Sequence, residues 1–244
     1  MVEARANSKR LSRKHEATIG YQSLIEHALD TALTAARQDC AVAISTNDPW
    51  CKICAAERGV PNIDRPAELF EEKLPVREFL DGLADMYAGW VMQKGWELPI
   101  KLVRSMGNTL ITDDAAYRRT VEATINMRPE DRGVHMIARC RDGLLGEMVV
   151  RTSPTEYRYL DADASYKASD ERAVTYEEVG GPTGMRLGEG GFSKYFDGNF
   201  RTVIVERTQC VHVHDDADLA VARAFWPLHA KPSESDPLSM EGKK

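Results

Sequence analysis

The spacing of apolar residues changes once along this chain, and that change restricts the folds open to it. Over roughly residues 17–126 apolar side chains recur at intervals of three and four, as on a helix face; from residue 134 they alternate or cluster in β-branched runs. Tyr21, Leu24, Ile25, Ala28, Leu29, Ala32, Leu33 and Ala36 predict a helix over 17–38. Further helices are expected at 66–74, at 76–94, in IKLVRSM after Pro99, and from Asp113 or Asp114 to about residue 126. VHMIARC and LGEMVVRT flank an Arg-Asp-Gly turn and read as a hairpin, and EYRYLDA, RAVTYEEV and FRTVIVERTQCVHVH supply further strands. Residues 216–226 return to helix.

Helices first and consecutive strands afterwards predict an α+β fold. A helical N-terminal half packs on a roughly five-stranded antiparallel sheet built from residues 134–214, and a C-terminal helix closes the layer. Strands that do not alternate with helices disfavour a Rossmann or TIM arrangement. Residues 1–15 are polar and basic and read as a flexible tail, 16–230 as a single domain, and 231–244, with two prolines, as a second flexible tail. Phe79, Leu83, Trp90, Val150, Val203, Val205 and Phe225 are the expected core.

Composition narrows the function classes. The 244 residues carry a formal charge of −6, which disfavours a duplex-binding surface spread over the whole protein. No apolar run reaches the roughly 18 residues that a membrane helix needs. The basic N-terminus is not followed by the apolar core of a secretory signal. The five cysteines, Cys40, Cys51, Cys54, Cys140 and Cys210, are odd in number and widely spaced, which speaks for a reducing, cytoplasmic setting rather than a disulfide framework.

Several constellations could carry chemistry. Cys51 and Cys54 in WCKIC are two thiols separated by two residues, able to cycle as a disulfide or to give zinc two sulfur ligands. The string resembles the active-site motif of the thioredoxin family, but Gly59 and Pro61 cut short the long helix that the resemblance implies after the second cysteine. For zinc the available partners are His212 and His214, which alternate onto one strand face, with Asp215 beside them as ligand or acceptor. Glu147, Arg151, Tyr157, Tyr159, Glu177, Arg201 and Glu206 fall on expected strands, where a subset could line a pocket for a small polar ligand.

RLGEGGFSK, residues 186–194, is similar to the glycine-rich loop of protein kinases, but no H-R-D or D-F-G string follows it. It is expected to be a loop over 180–198 that covers the pocket. Arg5, Lys9, Arg10, Arg13 and Lys14 form a basic arm that could bind phosphates. The reading that results is a small-molecule-binding domain or enzyme of unknown substrate. The alternatives are a zinc-supported regulatory or interaction protein, or a DNA-associated regulator that uses the basic arm.

Overall fold

The structure is a computed structural model that describes residues 1–6, 10–66, 69, 75–139, 149–151, 157–159, 176–188, 192 and 200–229. In chain order its elements are β1 (Val2–Ala4), β2 (Thr18–Ile19), β3 (Gln22–Ser23), α1 (Leu24–Ala35), β4 (Ile44–Thr46), α2 (Pro49–Glu57), β5 (Asn62–Ile63), α3 (Val76–Gln93), β6 (Ile100–Met106), β7 (Thr109–Ile111), α4 (Asp114–Ile125), β8 (Gly133–Arg139), β9 (Val149–Arg151), β10 (Tyr157–Tyr159), β11 (Tyr176–Glu178), β12 (Thr183–Leu187), β13 (Phe200–Val205), β14 (Cys210–His212) and α5 (Asp216–His229). The chain divides into two compact units. One comprises Met1–Glu72, Ser105–Arg118 and Thr208–Lys244, the other Lys73–Arg104 and Arg119–Arg207.

The main sheet of the first unit is parallel, beside the antiparallel pairs β2–β3 and β14–β7. β1 pairs with β4 on one side and with the last residues of β6 on the other, and β4 pairs with β5, all in the same direction. The chain therefore runs β1–α1–β4–α2–β5, alternating strand and helix. The register sets Val2 against Ile44 and Ser105, and Glu3 against Ser45 and Met106. α1 turns Leu24, Ile25, Ala28, Leu29, Ala32 and Ala35 inward. It starts at Leu24 because Gly20, at a φ of 62°, turns the β2–β3 hairpin just before it. Ser23 then donates its amide and its hydroxyl to Glu26, at 2.8 and 2.7 Å. Tyr21, expected on the helix face, stands exposed in that hairpin turn. A second apolar cluster gathers Ile19, Leu24, Leu110, Val211, Val213, Leu219 and Ala222 under α5.

The second unit is mixed. β12 lies antiparallel to residues 100–104 of β6 and to β8, β11 lies antiparallel to β8, and β13 lies parallel to β8 over six residue pairs. β9 and β10 form a separate antiparallel pair. Leu80, Leu83, Tyr87 and Val91 of α3, Val134 and Met136 of β8, and Val203 and Val205 of β13 are buried. Trp90 and Phe79 are only half-buried in this unit, as is Phe225 in the first. Gly184 in β12 leaves room for α4, since a Cβ there would fall on the Thr124 hydroxyl.

These pairings overturn the expected five-stranded antiparallel sheet with a purely helical N-terminal half. The hydrogen-bonded order is β11-β8-β12-β6-β1-β4-β5, with β13 on β8, eight strands in all. Residues 1–15 are not a free tail, because Val2–Ala4 is a buried strand with partners on both sides. IKLVRSM is strand β6 rather than a helix; a short apolar run carries no period that separates the two. Pro49 opens α2, since Asp48 accepts from the Trp50 and Cys51 amides and caps it. Within the expected 180–198 loop, Thr183–Leu187 is strand β12, and residues 189–191 and 193–199 lie outside the described residues. Among the described residues no helix is long and apolar enough to cross a membrane.

Candidate active site

Parallel strands open a crevice at their carboxyl ends where successive connections leave in opposite directions. In the first unit that point lies between β1 and β6, because the chain passes from β1 to β4 on one side while β6 lies on the other. The residues leaving those ends are Arg5 onward from β1, Gly107, Asn108 and Thr109 from β6, and Asn47 and Asp48 from β4. Gly107 is required there: a Cβ would stand 2.8 Å from Ile25 Cδ1 and 3.1 Å from Ala4 Cβ, and its amide donates to Glu3 O at 2.7 Å. The Ala6 amide donates to Asn47 Oδ1 at 2.9 Å and ties the loop after β1 to the end of β4.

That loop is strongly basic. Arg13 sits at a φ of 51°, the left-handed region, and its guanidinium pairs with Glu16. Lys14 is half-buried, and its pKa falls from the ordinary 10.5, first through burial and then through the charges of Arg5 and Arg10. Three cations thus crowd the carboxyl end of β1, a field that favours a polyanion. The next residue, His15, is buried, with Nδ1 3.6 Å from Asp48 Oδ2. Its pKa is lowered, by burial above all. The matching effect on Asp48 is a lowered carboxyl pKa, led by its interaction with His15.

At the end of β6, Asn108 Nδ2 donates to Val213 O at 2.6 Å and lies 3.1 Å from His212 Nε2, while Thr109 Oγ1 lies 2.9 Å from His212 Nδ1. An amide nitrogen can only donate, so this network assigns the His212 proton to Nδ1, which donates to Thr109. Both ring nitrogens of His212 are thereby engaged. His214 stacks beside it with ring centroids 4.3 Å apart. Asp215 does not stand ready as a ligand: it and Asp218 exchange amide-to-carboxylate bonds that cap α5, and Asp218 Oδ2 also accepts from the His214 amide at 2.8 Å.

Cys51 and Cys54 lie on α2, both buried with free thiols. Burial and then Asp48 push the Cys51 thiol far up, and burial followed by Glu26 pushes Cys54 up to about 11. Neither is poised as a redox nucleophile. Buried Cys210 is likewise pushed up, to about 12, and packs as core. The structure does not gather the cysteines with His212, His214 and Asp215. Among the described residues, one His/Cys/Asp/Glu group has its ligand atoms within 4.8 Å of one another, and it is His15, Asp48 and Cys51.

Of the expected strand-face pocket, Glu177, Arg201 and Glu206 have described side chains. Glu147 lies outside the described residues, and Arg151 on β9 and Tyr157 and Tyr159 on β10 are placed by backbone alone. Glu177 pairs with Arg207. Arg201 instead reaches Asn126 O at 2.7 Å and Asp131 Oδ2 at 3.5 Å, and Glu206 is exposed. A concavity of about 560 Å³ in the first unit is lined by Tyr21, Asp30, Asp113, Arg118 and Trp226 among others. Two of its three carboxylates are engaged: Asp30 pairs with Arg58 at 2.6 Å, and Asp113 accepts from the Ala115 amide and from Gln209, while Asp114 also lines it.

No protein-family model matches the chain, and no curated protein matches it by sequence. Solved structures do match it. A CMP:2-keto-3-deoxy-manno-octonic acid synthetase in complex with CTP superposes with a TM-score of 0.64 at 15% identity, over 94% of this chain and 98% of that one. A Bacillus anthracis protein assigned as a glucose-1-phosphate thymidylyltransferase, determined with sucrose, gives 0.58 at 14% identity over 95% and 96%. The 4-diphosphocytidyl-2C-methyl-D-erythritol synthase of Anaerococcus prevotii gives 0.52 at 12% identity over 93% and 98%. The chain shares the Rossmann-like fold of these structures, which also replaces the α+β expectation. The sequence alone does not mark Asn108, Thr109 or Asp48, and Arg5, Arg10 and Lys14 read there as a free arm. The available signal was the order of a short apolar strand, a basic loop and a capped amphipathic helix.

Proposed function

We propose that the protein is a nucleotidyltransferase. It holds a nucleoside triphosphate in the basic loop after β1 and transfers the nucleotidyl group to an oxygen of a sugar or sugar-acid acceptor. The observation that carries this reading is the crowding of Arg5, Arg10 and Lys14 at the carboxyl end of β1, where the strand connections reverse. The acceptor oxygen attacks the α-phosphorus, the bond from that phosphorus to the bridging oxygen breaks, and pyrophosphate leaves. Cations fixed beside the β- and γ-phosphates stabilise the negative charge that develops on the leaving group. Asn108 and Thr109, next to this end of β1 by the Glu3–Met106 register, supply polar groups for the rest of the nucleotide. The names of the structural neighbours support a cytidine or thymidine nucleotide and a sugar-derived acceptor.

The test is equilibrium binding of the four common ribonucleoside triphosphates and dTTP, each as its magnesium salt, to the wild type and to Lys14→Ala and Arg10→Ala. A charge-assisted contact contributes about 1.5–3 kcal/mol, so each variant should weaken binding about 10- to 100-fold. The remaining affinity should also depend less on salt. Triphosphate binding that is equal in wild type and variants would overturn the proposal. So would a preference of the same residues for random duplex DNA, which would return the basic segment to a nucleic-acid role.

A further inference from the structure

His15, Asp48 and Cys51 come from three different places in the first unit: the end of the basic loop, the exit of β4 and the first turn of α2. One ligand atom from each lies within 4.8 Å of the others, and His15 and Cys51 are buried. The His15 Nδ1 to Asp48 Oδ2 separation of 3.6 Å is too long for a hydrogen bond. Zinc bonds of about 2.0–2.2 Å to nitrogen and oxygen, opened at the tetrahedral angle, put two such ligands about 3.3–3.5 Å apart. The observed edge is thus close to that of a tetrahedral site.

The carboxylate is also oriented in the manner of a metal ligand. Asp48 Oδ1 is held by the Trp50 and Cys51 amides at 3.0 and 3.5 Å, and this leaves Oδ2 turned to His15. The Asp48 amide in turn donates to Thr46 Oγ1 at 3.0 Å. The segment that carries Lys14 therefore ends beside a group whose donor set, one cysteine sulfur, one imidazole and one carboxylate, suits a borderline-soft dication.

We propose that His15, Asp48 and Cys51 bind one zinc ion, which clamps the basic loop to the start of α2. A water molecule takes the fourth position, because no fourth side chain joins the group among the described residues. This site uses Cys51 with partners other than the strand histidines, and it stands independently of the nucleotide proposal.

The experiment uses the full chain, purified without chelator and also stripped and reloaded. Elemental analysis of the first preparation should give close to one zinc per chain. Cobalt titration of the stripped protein should produce a thiolate-to-cobalt charge-transfer band together with visible bands of tetrahedral intensity. Cys51→Ser should lose the charge-transfer band, His15→Asn should weaken cobalt binding at least tenfold, and Cys54→Ser and Cys210→Ser should retain the wild-type spectrum. Zinc should raise the melting temperature of stripped wild type and leave that of Cys51→Ser unchanged. A wild type that yields no stoichiometric zinc and no cobalt–thiolate band overturns the site, as does a band that survives in Cys51→Ser. Neither measurement involves a nucleotide, so loss of nucleotide binding would not imitate loss of the metal.

Discussion

Glu3 and Arg65 provide the sharpest test of the parallel half of the fold. Glu3 lies on β1 between β4 and β6, and Arg65 follows β5. Arg65 Nη2 stands 3.8 Å from Glu3 Oε2, both side chains are only 3% exposed, and Arg65 Nε donates to Ser45 Oγ at 3.4 Å. At that separation the gross attraction is about 4 kcal/mol at an effective dielectric of about 20, and it largely offsets the desolvation of the two groups. Glu3→Ala removes the anion and leaves a guanidinium buried, which should cost about 3–5 kcal/mol. For a chain of this length each kcal/mol lowers the melting temperature by about 2–4 °C, so the fall should be about 6–20 °C. Replacing both residues by methionine removes the pair together and should restore part of the loss, the rest reflecting the buried Met1 ammonium that Glu3 also neighbours. The assay is thermal and urea unfolding of wild type, both single variants and the double variant, read as a double-mutant cycle. Single variants within about 0.5 kcal/mol of wild type would mean that the two groups are solvated as on a surface. That result would refute the placement of β1 inside the sheet.

Two further outcomes test the remaining elements. Gly184→Ala should lower stability by about 1–3 kcal/mol, because its Cβ collides with Thr124, and Thr124→Ala should recover part of the loss; full additivity of the two changes in urea unfolding would refute the contact. His27 is buried, donates from Nε2 to Ile19 O at 2.8 Å and packs edge-on against Trp226, and its pKa is lowered from the ordinary 6.5, by burial first. A histidine with a depressed folded pKa contributes stability above the unfolded value, and that contribution is lost as pH falls below about 6.5. Unfolding free energy should therefore drop between pH 7.5 and 5.5, with a shallower slope in His27→Gln; identical slopes would show that His27 titrates alike in both states.

The long helices were legible and the short parallel strands were not, for one physical reason. α3 and α4 run for 18 and 12 residues, long enough for a period of about 3.6 to repeat and declare a face. β1 and β4 have three residues each and β5 has two, too short for any alternation to repeat. β1 and β4 are buried on both faces, yet Glu3, Ser45 and Thr46 interrupt the apolar run by which a parallel strand is usually recognised. β8 and β13 read correctly as strands because six or seven β-rich residues suffice, but nothing in either sequence says that β13 joins β8 in parallel.

The site was hidden by that same shortness. Without β1, the basic run from Arg5 to Lys14 has no strand to leave and reads as a loose arm; with β1 in place between β4 and β6, the same residues become the loop at a strand carboxyl end. The strands give those charges a fixed place: burial leads the lowering of the Lys14 pKa, and Arg5 and Arg10 lie near enough to add to it. The CxxC string misleads in the opposite sense. Its two thiols are adjacent in sequence, but the partners that fit Cys51 chemically, His15 and Asp48, reach it through the loop after β1 and the exit of β4. A short-range motif was visible at once, whereas the grouping that matters depends on strands too short to announce themselves.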